Sequence, residues 1–537
     1  MYARVERESM TGETDTPAER GVWEPIEHRF RHLPVHLALL HTGKVLAFGG
    51  SGNDETRLHD PYPAELFDPR TGAVETVEQD LGGDLFCVGH AFLGDGRLLA
   101  AGGTYRYDGQ LDLSSVPGLS ELAGRLGLPN DPAFPPFSGL DHAYLFDPED
   151  ERWTRVQDLR AGRWYPTLVT MGDGSVLTAA GFTKHPPWVV LRKLERYTPG
   201  EGWSVLGGAG RWLPLYPRLH LLPDGTVFYA GSYNTHYTFP FSLRSFPTAV
   251  LDPNARTWTE YGLPNEEERE EGASVLLPFR PDEGYRARVL LAGGGTPTGD
   301  EAIADAEVID LDASRPAWRS VEPMAHARYY TYAVLLPDGT VFVMGGRSGK
   351  KGHVHGVGYD PETGEVASAP NAVHEAERFD PETETWEPLA AMSVDRLYHA
   401  GALLLPDGRV LTAGSNPKRR VDERRIETYR PPYLFGGPRP TVDAAPETVT
   451  YGEGFEIETP DAGEIDEVVL IRQSSTTHCL DTDQRFVELP IDARREGALA
   501  VRLPDNPNLL PPGHYLLFVL VDGVPSVAPF VRVGAST

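Results

Sequence analysis

One unit recurs along residues 25–435, and it confines most of this chain to a ring of small sheets. The unit is an apolar strand, an Asp-Gly or similar turn, a second apolar strand ending in Gly-Gly or Ala-Gly, a loop, then Phe-Asp-Pro and often Trp. Its first halves are HTGKVLAFGG (41–50), GDGRLLAAGG (94–103), GDGSVLTAAG (172–181), PDGTVFYAG (223–231), ARVLLAGGG (287–295), PDGTVFVMGG (337–346) and PDGRVLTAG (406–414). Later halves include ELFDPRTG (65–72), YLFDPEDERW (144–153), AVLDPNARTW (249–258) and ERFDPETETW (377–386). Asp-Gly supplies the positive φ of a tight hairpin. The glycine pair lets the chain bend close to its neighbour, and the Trp is expected to pack between sheets. Units of roughly fifty residues have the period of propeller blades. Each blade is a four-stranded sheet, and closing the ring leaves only short edges.

The pattern stops at PPYLF (431–435), and GGPRPTV (436–442) reads as a linker. Beyond it, TVTYGEGFEIET, EVVLIRQSS, ALAVRLPD and HYLLFVLVDGVPSVAPFVRV alternate like the strands of a sandwich. The expected fold is all-β: a flexible segment 1–22, a seven-bladed kelch-type β-propeller over 23–435, and an immunoglobulin-like, early-set β-sandwich over 438–537. At 537 residues the chain is too long for one ordinary core. The formal charge of −29 disfavours nucleic acid or an anionic membrane as partner. The acidic run NEEEREE (265–271) reads as an exposed loop. Two cysteines, Cys87 and Cys479, make no disulfide scaffold. The first residues lack the apolar core of a signal peptide, so the chain as written reads as unexported. No stretch is long and apolar enough to span a bilayer, and a monomer is expected.

The repeat also points at a site. Nine residues before the turn glycine, successive units carry Cys87, Tyr165, Tyr216, Tyr330 and His399. The first unit gives Pro34, and the fifth, with its irregular PFRPDEGYRAR, has no clean equivalent. A core position would more often hold Val, Leu or Ala, so these residues are expected to converge on the channel mouth. His399 follows Tyr398, and QSSTTHCLDTDQRF (473–486) carries His478 far away in the C-terminal segment. Two imidazoles and a phenol are a plausible set for copper or zinc, provided a loop of the sandwich reaches into the channel. His36, His90 and His220, near other strand starts, read as structural or as supports of the site.

These strings, DLFCVGH (84–90), GRWYPT (162–167), YHAGALLLPDGRV (398–410) and THCLDTDQR (477–485), resemble those of the galactose oxidase and glyoxal oxidase family of copper-radical oxidases. YPRLHLLPDG (216–225) and AGSNP lean towards the glyoxal oxidase side. The resemblance implies one copper ion held by Tyr165, His399 and His478, with Tyr398 as the axial ligand. It implies a thioether between Cys87 and Tyr165, a self-processed radical cofactor. Catalysis then falls to Cys87, Tyr165 and Tyr398. The implied reaction oxidises a small aldehyde or primary alcohol with O2 and releases hydrogen peroxide. Members are usually extracytoplasmic, which disagrees with the missing signal.

The family's shielding indole is expected after the Gly of AAGFTKHPPW, where Phe182 and Thr183 stand here, with Trp188 further on. Galactose-contacting residues have no evident match at 293–302 or 345–354, with Arg218 a candidate exception. Arg218, Tyr216, Tyr330 and Phe182 complete the residues expected to touch substrate or support the site. The insertion 104–142 is either a lid or a decoration of one blade. Two other readings stay open: a non-catalytic kelch propeller binding a protein or glycan, and a Cys87–Cys479 disulfide beside a simple copper or zinc site.

Overall fold

In the computed structural model, the described residues are 16–77, 81–107, 137–184, 189–234, 246–265, 269–295, 301–349, 366 and 368–534. They form seven four-stranded antiparallel blades, the first extended by two further strands. The innermost strands, in chain order, are His36–Leu39, Gly89–Phe92, Thr167–Thr170, Leu215–Leu221, Ala273–Leu276, Tyr332–Leu335 and Ala400–Leu404. Each pairs outward with the next strand through a turn whose glycine lies at positive φ, such as Gly174 at +79° and Gly408 at +82°. The inner strands are short apolar runs buried on both faces, because each blade is packed between two others.

The ring closes by sequence exchange. The strand Val22–Arg29 pairs with Arg425–Arg430, so the N-terminus supplies the outer strand of the last blade. Trp23 Nε1 donates to the Ala390 carbonyl (2.8 Å). Trp258 and Trp386 donate likewise to Ala209 and Glu322, while Trp153 and Trp203 are buried. The repeat tryptophans therefore do pack between sheets. Of the segment 1–22, residues 1–15 lie outside the description, 17–20 form one helical turn, and the Arg20 carbonyl accepts from Tyr429 (2.5 Å).

Four blades carry the same buried ion pair. An arginine just before the inner strand meets a glutamate on the third strand: Arg163–Glu195 (3.0 Å), Arg269–Glu307 (2.6 Å), Arg328–Glu377 (2.5 Å) and Arg396–Glu427 (3.2 Å). Each arginine also donates to a carbonyl near the end of the second strand, such as Gly345 or Gly414. These pairs fix the loops from which the axial residues project.

The C-terminal region pairs Glu467–Arg472, Phe486–Glu488, Gly513–Val521 and Phe530–Val533 in one sheet, and Gly454–Glu458, Ala498–Arg502 and Ile491–Arg495 in another. It packs on the turn end of the propeller, where Gly94 and Gly174 face Pro512 and Gly172 faces Asn508. From it the hairpin Ser475–Asp481 enters the axis and extends the first blade, with His36 opposite Thr477 and Ala38 opposite Ser475. Among the described residues no helix is long and apolar enough to cross a membrane.

Candidate metal centre

The D-x-F-C string has a local explanation. Asp84 accepts from the backbone N–H of Ser51 (2.8 Å) and Phe86 (2.9 Å), which turns the chain so that Cys87 faces the axis. Burial pushes Asp84 up to about 7 despite these donors. The T-D-Q-R string is equally legible. Asp481 accepts from the backbone of Ser475 and Asp483 (3.1 Å each) and shuts the hairpin. Asp483 holds Arg472 (2.9 Å) and accepts from Phe92 of the second blade (3.0 Å). Gln484 bridges Leu276 and Ser274 of the fifth blade, and Arg485 donates to Leu221 of the fourth. The hairpin is thus tied to the propeller from several sides.

At the hairpin tip sit His478 (φ +47°) and Cys479 (φ +61°). Two central residues at positive φ define a two-residue hairpin turn that ordinarily selects Asn-Gly. Here the chain holds His and Cys in it instead. His478 Nδ1 meets Thr477 Oγ1 (2.6 Å), so Nε2 faces the axis. There it lies 3.1 Å from Tyr165 Oη and 3.7 Å from Cys87 Sγ. Tyr165 and Tyr398 share a hydrogen bond between their hydroxyls. The His399 and His478 rings stand at 84° with centroids 4.6 Å apart. Donor atoms of Cys87, His399 and His478 lie within 4.8 Å of one another, all buried. Gly414 lets its strand pass close to the backbone at His399, since a Cβ there would sit 2.5 Å from the His399 carbonyl.

Burial pushes the phenols of Tyr165 and Tyr398, and the Cys87 thiol, well above their ordinary range. It pushes His478 well below its own, leaving a neutral imidazole. A dication fits such a set: it needs neutral imidazoles and favours deprotonated phenols that burial alone opposes. Two imidazoles and two phenols are nitrogen and oxygen donors of the kind copper(II) takes.

The five residues expected to converge do so. Tyr216 stacks on Tyr165 (4.4 Å, 28°) and donates to the Val88 carbonyl (2.9 Å). Tyr330 lies 5.6 Å from Tyr398. His36 Nδ1 and His90 Nε2 meet at 3.1 Å, and His90 bonds Ser475 of the hairpin. His220 bonds Ser274 (2.7 Å). Arg218, a candidate substrate contact, is buried and donates to the Arg269 and Gly272 carbonyls.

One open reading closes and three expectations change. Cys87 and Cys479 are both free and buried, so no disulfide joins them. The indole on Tyr165 is Trp164, its own neighbour, stacked at 3.9 Å and 10°. Phe182 lies instead against Trp164 (5.7 Å, 3°), as does Phe137 (4.1 Å, 6°); Trp188 and residues 108–136 of the insertion lie outside the described residues. In the acidic run, Arg269, Glu270 and Glu271 are buried, not an exposed loop. The fifth blade does have an axial residue, Glu271. Aligning LLP (276–278) with the LLP of other blades, rather than counting from a turn glycine, finds it.

Two family models match the chain: the glyoxal oxidase N-terminus over residues 256–433 and the galactose oxidase-like early set domain over 439–533. A WSC domain-containing protein of Arthroderma benhamiae is 30% identical over 503 residues, 92% of this chain and 50% of that protein. The chain thus spans half the length of that relative. Aldehyde oxidase GLOX of Vitis pseudoreticulata is 27% identical over 95% of this chain and 97% of its own. A solved fungal alcohol oxidase of the AA5 family, in complex with copper, superposes with a TM-score of 0.75 at 23% identity, covering 96% of this chain and 100% of its own. The chain thus carries a glyoxal oxidase N-terminal domain match and a galactose oxidase-like early set domain match side by side, around the converging donor set.

Proposed function

We propose that the protein is a copper-dependent oxidase of small aldehydes or primary alcohols, with O2 as acceptor and hydrogen peroxide as product. The observation that carries it is the meeting of two imidazoles and two phenols, brought by separate stretches of chain, at one buried point on the axis. Tyr165, Tyr398, His399 and His478 would hold the ion. Copper supplies Lewis acidity and one of the two one-electron stores that alcohol oxidation needs.

The other store is on the chain. Tyr165, once joined through a ring carbon to the Cys87 sulfur, would be the one-electron group, because thioether substitution makes a tyrosyl radical easier to form and hold. Trp164 and Tyr216 cover the two faces of its ring and exclude water. Tyr398, as phenolate, accepts the substrate hydroxyl proton. Tyr165 takes the hydrogen atom from the carbinol carbon. O2 receives two electrons and two protons in all, and an aldehyde enters as its hydrate and leaves as the acid.

Peptide mass mapping of copper-loaded, aerobically incubated and reduced protein tests this reading. A linked Cys87–Tyr165 pair, two hydrogens lighter than the sum of its peptides, is expected. Tyr165→Phe should abolish both the link and the activity while the fold persists. Separate peptides, or activity surviving that substitution, would overturn it.

A further inference from the structure

Glu271 shares its backbone setting with the axial residues of the other blades but has no place in the chemistry above. Cys87, Tyr165, Tyr216, Tyr330 and His399 have φ of +59°, +63°, +43°, +58° and +62°, and Glu271 has +57°. Like Cys87, Tyr165 and Tyr330, it stands two residues before its innermost strand. The ring is stitched by backbone bonds from blade to blade. The Cys87 carbonyl accepts from Tyr165 N (3.1 Å) and the Tyr165 carbonyl from Tyr216 N (2.9 Å). The Glu271 carbonyl accepts from Thr331 N (3.0 Å), one residue past the axial Tyr330. The same backbone state at the same place starts its side chain in the same direction, towards the axis. Glu271 is 2% exposed.

We propose that Glu271 is a substrate-positioning residue whose carboxylate accepts a hydrogen bond from the second hydroxyl of a hydrated aldehyde at the site. This rests on the oxidase reading and names the substrate class within it. A carboxylate is an acceptor only, and in this ring of phenols, imidazoles and a thiol it is the one carboxylate among the described residues. Its loop is fixed, since Arg218 donates to the carbonyls of Arg269 and Gly272, and Arg269 is paired with Glu307. A group so held is preorganised.

The chemistry separates two substrates. A primary alcohol has one hydroxyl, whose proton goes to Tyr398. An aldehyde hydrate, RCH(OH)2, has two. One gives its proton to Tyr398, and the other must donate somewhere in a site that burial keeps from water, or remain an unpaired donor. Glu271 accepts that bond and exchanges no proton. The balance is RCH(OH)2 + O2 giving RCOOH + H2O2, in which the carbon loses two electrons and O2 gains them.

The test uses copper-loaded full-length protein with propanal and propan-1-ol. Glu271→Ala should lower kcat/KM for the aldehyde about tenfold or more, the worth of a hydrogen bond to a charged group. The alcohol should change less than about threefold on the same scale. Glu271→Gln, which keeps the shape and a neutral acceptor, should fall between. Copper content, thioether yield by mass and melting curve should match the wild type in both variants. Equal losses on both substrates, no loss on either, or a fall in thioether yield would overturn the proposal alone. A wild type that oxidises neither substrate would overturn the oxidase reading and this proposal with it.

Discussion

Seven residues around the axis, Cys87, Tyr165, Tyr216, Glu271, Tyr330, His399 and His478, all lie at positive φ although none is glycine. Each such residue costs about 1 kcal/mol or more, so the surrounding frame must determine the site rather than the reverse. Five of the seven could be read from the repeat, because a fixed count from a turn glycine survives wherever the hairpin length does. Glu271 was hidden by the longer hairpin of its blade. Trp164 was hidden for a different reason: a residue adjacent to Tyr165 is ordinarily turned away from it, and only the left-handed turn at Tyr165 brings the two rings together. An aromatic pair is worth about 0.5–1.5 kcal/mol. Trp164→Ala should therefore speed decay of the oxidised Tyr165 signal, followed by optical absorption, by up to about tenfold. Trp164→Phe should retain most of the wild-type lifetime.

At the scale of the element, the repeated arginine–glutamate pair is what the propeller turns on. Its arginines are visible in GRWYP, EREEG, ARYYT and DRLYH, but the partners lie 32, 38, 49 and 31 residues on, beyond loops of unequal length, so the pairing is not legible from the chain. Removing one partner of a buried pair leaves an uncompensated charge and costs about 3–5 kcal/mol. Glu377→Gln should lower stability by about that amount in chemical denaturation. Adding Arg328→Met should recover only part, because Arg328 also donates to the Gly345 and Glu375 carbonyls. Full recovery would mean that the carbonyl bonds contribute nothing.

The whole molecule is two bodies joined by a packed interface and by a hairpin that enters the axis. The sequence shows both bodies, since repeat and alternation are local patterns. It does not show that Ser475–Asp481 enters the axis, because the ties are between side chains and distant backbone: Asp483 to Phe92, Gln484 to Leu276, Arg485 to Leu221. With so many ties, propeller and sandwich should melt in one calorimetric transition. Asp483→Ala, which strands the buried Arg472, should cost about 3–5 kcal/mol and split that transition in two. A split already present in the wild type would contradict this view. Copper at about a hundredfold over its Kd should raise stability by about 2.7 kcal/mol, and His478→Ala should lose most of that gain.

The hairpin has a consequence in time as well as in space. A chain is made from its N-terminus and its domains fold in that order. Cys87, Tyr165, Tyr398 and His399 are all synthesised before His478, and the first blade cannot receive its two added strands until that late segment arrives. The nascent propeller therefore waits with its axis open and its donor set one imidazole short. On the proposed reading, oxidative chemistry at the axis is withheld until the segment that carries His478 is made.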